Sequence, residues 1–114
     1  MTSDYTALDP PTTGLSITSR RTLAIDVTLD LAAGEHAILN SIAMTNIDTG
    51  AAVTLTHAAI VVDNAAGVPA VIEQLVDPTP DGMAVGATYR LRAIFQPAPA
   101  LDTITRDLFV TVVE

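Results

Sequence analysis

From Leu15 onward, apolar and polar side chains alternate along this chain with a period of two, which is the repeat of a half-buried strand. Leu15 and Ile17 predict a short first strand. Leu23, Ile25, Val27 and Leu29, alternating with Ala24, Asp26, Thr28 and Asp30, predict a second with one wet face. Ala32-Ala33-Gly34-Glu35 turns the chain. Ala37 to Thr45 then places Ile38, Ile42 and Met44 on one face, with Asn40 opposing the pattern. Asp48-Thr49-Gly50 is a turn signal, and Val53, Leu55 and His57 fall on one side of the strand that follows. Ile60-Val61-Val62 either continues that strand or stands as its own. Val71 to Val76 lies between Pro69 and the breaker cluster Pro78-Thr79-Pro80-Asp81-Gly82, which favours a strand over a helix. Two longer strands, Gly86 to Phe95 and Arg106 to Val113, close the chain. The Pro97-Ala98-Pro99-Ala100 segment joins them, its prolines blunting any exposed edge. About seven strands at spacings of roughly ten to twelve residues, none with an apolar face at helical spacing, predict an all-β sandwich.

Residues 1–14 carry no such period. Adjacent Pro10 and Pro11, followed by Gly14, predict an extended N-terminal arm, leaving 15–114 as one β-sandwich domain. The length of 114 residues suits a single core without covalent staples. Such an arm either folds back on its own sheet or docks on a neighbouring chain, with Tyr5, Leu8, Pro10 and Pro11 as the contact residues in the second case.

Composition narrows the picture. Only four aromatic side chains (Tyr5, Tyr89, Phe95 and Phe109) supply bulk, so the core is expected to be thin and aliphatic. The absence of cysteine excludes disulfides and thiolate metal sites. Thirteen acidic residues face five arginines and no lysine, giving a formal charge of −8. Such a surface repels a phosphate backbone, so no nucleic-acid partner is expected. No run approaches the ~20 apolar residues of a membrane span, and the first five residues lack the basic start and apolar run of a secretory signal. No membrane partner is expected either, and folding is expected in a reducing cytoplasm.

The candidate chemistry is sparse. His36 and His57 show neither the spacing nor the companion ligands of a zinc site. Asp26 and Asp30 share one predicted strand face, whereas glycosidase carboxylates come from different elements flanking a cleft. Asp48-Thr49-Gly50 and Asp77 to Gly82 place carboxylates in loops, where either turn formation or calcium would use them; the full ligand pattern of a calcium loop is missing. Ser3, Ser16, Ser19 and Ser41 lack a nucleophile-elbow context. No enzyme and no cofactor is expected. Arg90 and Arg92 share the face opposite Tyr89, Leu91 and Ala93, and Arg106 is placed across from them, with Asp26, Asp30 or Asp107 as ion-pair partners. That row is either a cross-strand ladder or a stripe that recognises a carboxylate-rich partner.

Gly86-Ala87-Thr88-Tyr89, with its tyrosine at the start of the penultimate strand, has the form of an immunoglobulin-type tyrosine corner. Together with Leu23 to Glu35 and Arg106 to Phe109, it resembles the small immunoglobulin-like proteins of tailed bacteriophages. The likeness spans most of residues 20–114. It implies an immunoglobulin-like sandwich serving as a virion structural subunit: a capsid decoration or cement protein, or a neck or tail accessory protein, in many copies among other virion proteins. The chain departs from antibody-type domains in having no cysteine pair and no tryptophan in the third strand. Ile25 or Val27, and Leu91, stand where the sheets would be bridged. A carbohydrate- or calcium-binding β-sandwich module is the alternative, although the former normally presents exposed aromatic rings.

Overall fold

The computed structural model describes residues 13–32, 34–64 and 68–114. They form eight strands: β1 (Thr13–Ser16), β2 (Arg21–Asp26), β3 (His36–Asn46), β4 (Ala52–Val53), β5 (Ile60–Asn64), β6 (Val68–Val76), β7 (Thr88–Ala98) and β8 (Ile104–Val113). One sheet has the order β1-β8-β7-β3-β4 and the other β2-β6-β5. The pairings are antiparallel except that β1 runs parallel to β8, with Leu15 beside Val112. The chain is thus an all-β sandwich of two sheets. The strands predicted at Val71 to Val76, Gly86 to Phe95 and Arg106 to Val113 overlap β6, β7 and β8, where the alternation placed them.

The core lies between the sheets. Leu23 and Ile25 of β2, Val27 just beyond it, and Ile72 and Val76 of β6 face Leu15, Met44, Tyr89, Leu91, Ala93, Phe95, Val110 and Val112. Two rings among aliphatic side chains make a thin interior, and removing Phe95, which is fully buried, would cost about 3–5 kcal/mol.

Three segments depart from simple alternation. The second strand stops at Asp26 rather than continuing to Leu29. Asp26 Oδ1 accepts the backbone N–H of Thr28 at 2.9 Å and its hydroxyl at 2.6 Å, which bends the chain into a 3-10 turn at Thr28–Asp30. Val27 stays buried and donates its N–H to the Ala70 carbonyl at 2.9 Å, while Leu29 is left on the surface. Asp26 and Asp30 therefore do not share a strand face.

In β3 the register against β7 slips between Leu39 and Ser41, so Asn40 is the extra residue of a bulge. The slip changes which face each side chain takes. Ala37 and Leu39 point inward before it and Ile42 and Met44 after it, while Ile38 turns outward and is half exposed. Ile38 is thus not on the face of Ile42 and Met44.

After β4 the chain leaves the five-stranded sheet. Leu55 and His57 lie in a connecting segment, and Ile60 to Val62 stands as part of a separate strand in the other sheet. Two turns hold this geometry. Gly50 (φ 78°) donates to the Asn46 carbonyl at 2.8 Å, and Gly82 (φ 77°) donates to Thr79 at 3.1 Å; both adopt a left-handed conformation that side chains resist. Beside Gly82, the buried Asp81 carboxylate ties the 77–82 turn to the 54–59 segment. Oδ1 accepts the Thr56 hydroxyl at 2.8 Å and its N–H at 3.1 Å, and Oδ2 accepts the Asp77 N–H at 2.9 Å.

Candidate functional site

Register fixes what the outer face of the five-stranded sheet presents. Direct cross-strand partners share a face, so Thr45, Arg90 and Phe109 form one outward row and Ala43, Arg92 and Asp107 the next. Ser41, Ile94 and Thr105 make a third row, and Ile38 lies beyond the bulge. Among the outward strand positions of β3, β7 and β8, Asp107 is the single carboxylate. This is a mixed apolar and cationic surface on a chain whose formal charge is −8.

Arg90 and Arg92 do share a face, and the structure separates their roles. Arg92 is engaged by Asp107 in a two-point pair, Nε to Oδ1 at 2.8 Å and a terminal nitrogen to Oδ2 at 2.9 Å. Hydrogen bonding by the Asp107 carboxylate, reinforced by its charge, holds the Arg92 guanidinium above its ordinary pKa. Arg90 makes no hydrogen bond or ion pair among the described residues, and its Nε is buried without an acceptor. It sits between Thr45 and the half-buried ring of Phe109.

The other arginines are committed elsewhere. Arg106 pairs in register with Ala93, an inward position, so it lies on the opposite face from Arg90 and Arg92 and not across from them. Beyond the end of the core it forms a two-point pair with Asp30 of the 3-10 turn, with Nε at 3.0 Å from Oδ2. Arg20 reaches Asp77 at 3.4 Å, and Arg21 donates to the Gly14 carbonyl at 2.9 Å. Of the five arginines, Arg90 alone has no partner among the described residues.

Tyr89 is buried at the start of β7, two residues before the inward Leu91. Its hydroxyl oxygen accepts the backbone N–H of Ala84, five residues upstream, at 2.8 Å. This bond ties the 83–87 segment to the core. Tyr5, Leu8, Pro10 and Pro11 of the predicted arm lie outside the described residues. Thr13 and Gly14, at the end of the pattern-free segment, already pair with Val110 and Thr111.

Sequence reasoning missed two polar features. Gln74 is fully buried, and the Thr56–Asp81 link joins residues 25 apart. The first hides in an ambiguous alternation, and the second depends on a turn bringing distant segments together. Among the described residues, no three His, Cys, Asp or Glu side chains gather as metal ligands would. No helix there is long and apolar enough to cross a membrane. Comparison of the chain with protein-family models, with curated proteins and with solved structures yields no match.

Proposed function

We propose that this chain is an immunoglobulin-like, non-enzymatic structural subunit of a phage virion, acting by protein–protein contact as a capsid decoration or neck or tail accessory protein. Support for the immunoglobulin-like identity comes from the strand order, from β1 lying parallel to β8, and from the Tyr89 hydroxyl bonded back to Ala84 at the turn before β7. Support for the virion role comes from the resemblance carried by Leu23 to Glu35, Gly86 to Tyr89 and Arg106 to Phe109.

The observation that carries the contact reading is Arg90. It is a cation with a buried, unpaired Nε, set beside a half-exposed aromatic ring on a face whose described strand positions carry one carboxylate. A guanidinium in that setting gains from a planar acidic group supplied from outside. Arg92, already held by Asp107, would form the border of the contact, and the arm residues Tyr5, Leu8, Pro10 and Pro11 its extension.

The test is occupancy of the chain on purified particles. Arg90→Glu should leave the fold intact and reduce occupancy at least tenfold, because it replaces the unpaired cation by a repelling charge. Undiminished occupancy of a folded Arg90→Glu variant would overturn the contact, and absence of the wild-type chain from particles would overturn the virion role.

A further inference from the structure

A cleft of about 310 Å³ opens on the side of the sandwich, between β3 and β4 on one hand and the 54–59 segment and β6 on the other. That volume is at the small end of the range of about 300–1,000 Å³ typical of small-molecule sites. Its walls are the inward side chains of Ile42, Met44 and Val53, together with Leu55 and several alanines. His57 and Gln74 are the polar side chains of the lining.

Gln74 is the unusual member. It is 0% exposed and inward-facing on β6, between Ile72 and Val76. Its Nε2 donates to the His57 carbonyl at 2.8 Å and to the Leu75 carbonyl at 2.9 Å, which uses both of its protons and fixes which end of the amide is which. Its Oε1 is buried and accepts nothing. A buried acceptor left empty is costly, and native interiors fill nearly all of them. A water needs about two to four polar partners, and beyond His57 and Gln74 the side chains of the lining are hydrocarbon.

We propose that this cleft is a binding site for a compact apolar molecule bearing one hydrogen-bond donor, its N–H or O–H directed at Gln74 Oε1 and its body packed on Ile42, Met44, Val53 and Leu55. The 54–59 segment forms the mouth, and the His57 carbonyl bonded to Gln74 Nε2 holds the amide in its receptive orientation. This site is distinct from the Arg90 face, which lies on the outer surface of the five-stranded sheet, whereas the cleft opens along the β3–β4 edge of that sheet toward β6.

Indole and benzofuran serve as probes, because they share a shape and differ in the single donor. Amide chemical shifts of the labelled full chain are followed during titration with each. Indole is expected to produce saturable shifts at Val53, Ala58, Ala59 and the Gln74 side-chain amide, and to bind about tenfold more tightly than benzofuran. Gln74→Met should bring the two probes to parity. Ala58→Phe, at an exposed position on the rim, should block both while leaving the acceptor in place. Absence of shifts at the cleft, equal affinity for the two probes, or unchanged binding in Ala58→Phe overturns the proposal. If Gln74→Met does not fold, the comparison of indole with benzofuran on the wild-type chain decides.

Discussion

Single polar atoms inside this sandwich carry more of its definition than the count of apolar residues implies. Tyr89 places one hydroxyl oxygen where the Ala84 N–H needs an acceptor. Tyr89→Phe keeps the ring and strands that donor, so chemical denaturation should show a loss of roughly 1 kcal/mol or somewhat more. Asp81, itself buried in a largely exposed turn, holds a denser set of bonds, to Thr56 and Asp77. Asp81→Ala should therefore cost more, about 2–4 kcal/mol by the same measurement, and should raise hydrogen exchange in the 54–59 segment. Asp26 gives a pH dependence. The Thr28 hydroxyl, and then the Thr28 N–H, hold its carboxyl below the ordinary value of 3.8. A carboxyl lowered by folding stabilises the protein above 3.8 and loses that contribution as the pH falls through the lower folded value. Acid titration of Asp26→Asn should accordingly show a shallower decline of stability below that pH than the wild-type chain, with little difference between the two slopes at neutral pH.

At the scale of whole elements, the bulge in β3 is the feature that most changes the assignment of faces. Ile38 is outward, so Ile38→Lys should alter stability by less than about 0.5 kcal/mol. Leu39, packed against the core, should cost about 2 kcal/mol when replaced by alanine. A regular strand would give the reverse ranking, so paired denaturation curves decide between them. Periodicity reveals strands where pairing is regular, as in β7, whose residues alternate between the interior and the surface without interruption. It fails at Asn40, because a bulge adds a residue without any compositional mark beyond a polar side chain out of turn. In β6 the alternation is legible but its phase is not. Val71, Glu73 and Leu75 are as apolar a set as Ile72, Gln74 and Val76, and the structure buries the neutral amide rather than the carboxylate, the cheaper choice. The common face of Arg90 and Arg92 follows from the period of two. The partner of Arg106 does not, since it depends on where the 3-10 turn carries Asp30.

For the molecule as a whole, β1 is the first strand that the described residues place in a sheet, and its pairing begins at Thr13. Removing residues 1–12 should leave a cooperatively folding sandwich, visible as an unchanged pattern of core amide shifts, while reducing incorporation into particles if the arm laces subunits together. Removing 1–16 should be different. It deletes Leu15 from the core and exposes the edge of β8, and the melting temperature should fall by several degrees. The parallel pairing of β1 with β8 also sets how the domain responds to a mechanical load. Tension applied between the front of β1 and the back of β8 draws two parallel strands past each other, so their hydrogen bonds are strained together rather than opened one at a time. Pulled along that line, the domain should resist far more force than when pulled across the β7–β8 hairpin, and a subunit anchored through both ends would behave as a tether that holds until the whole strand pair gives way at once.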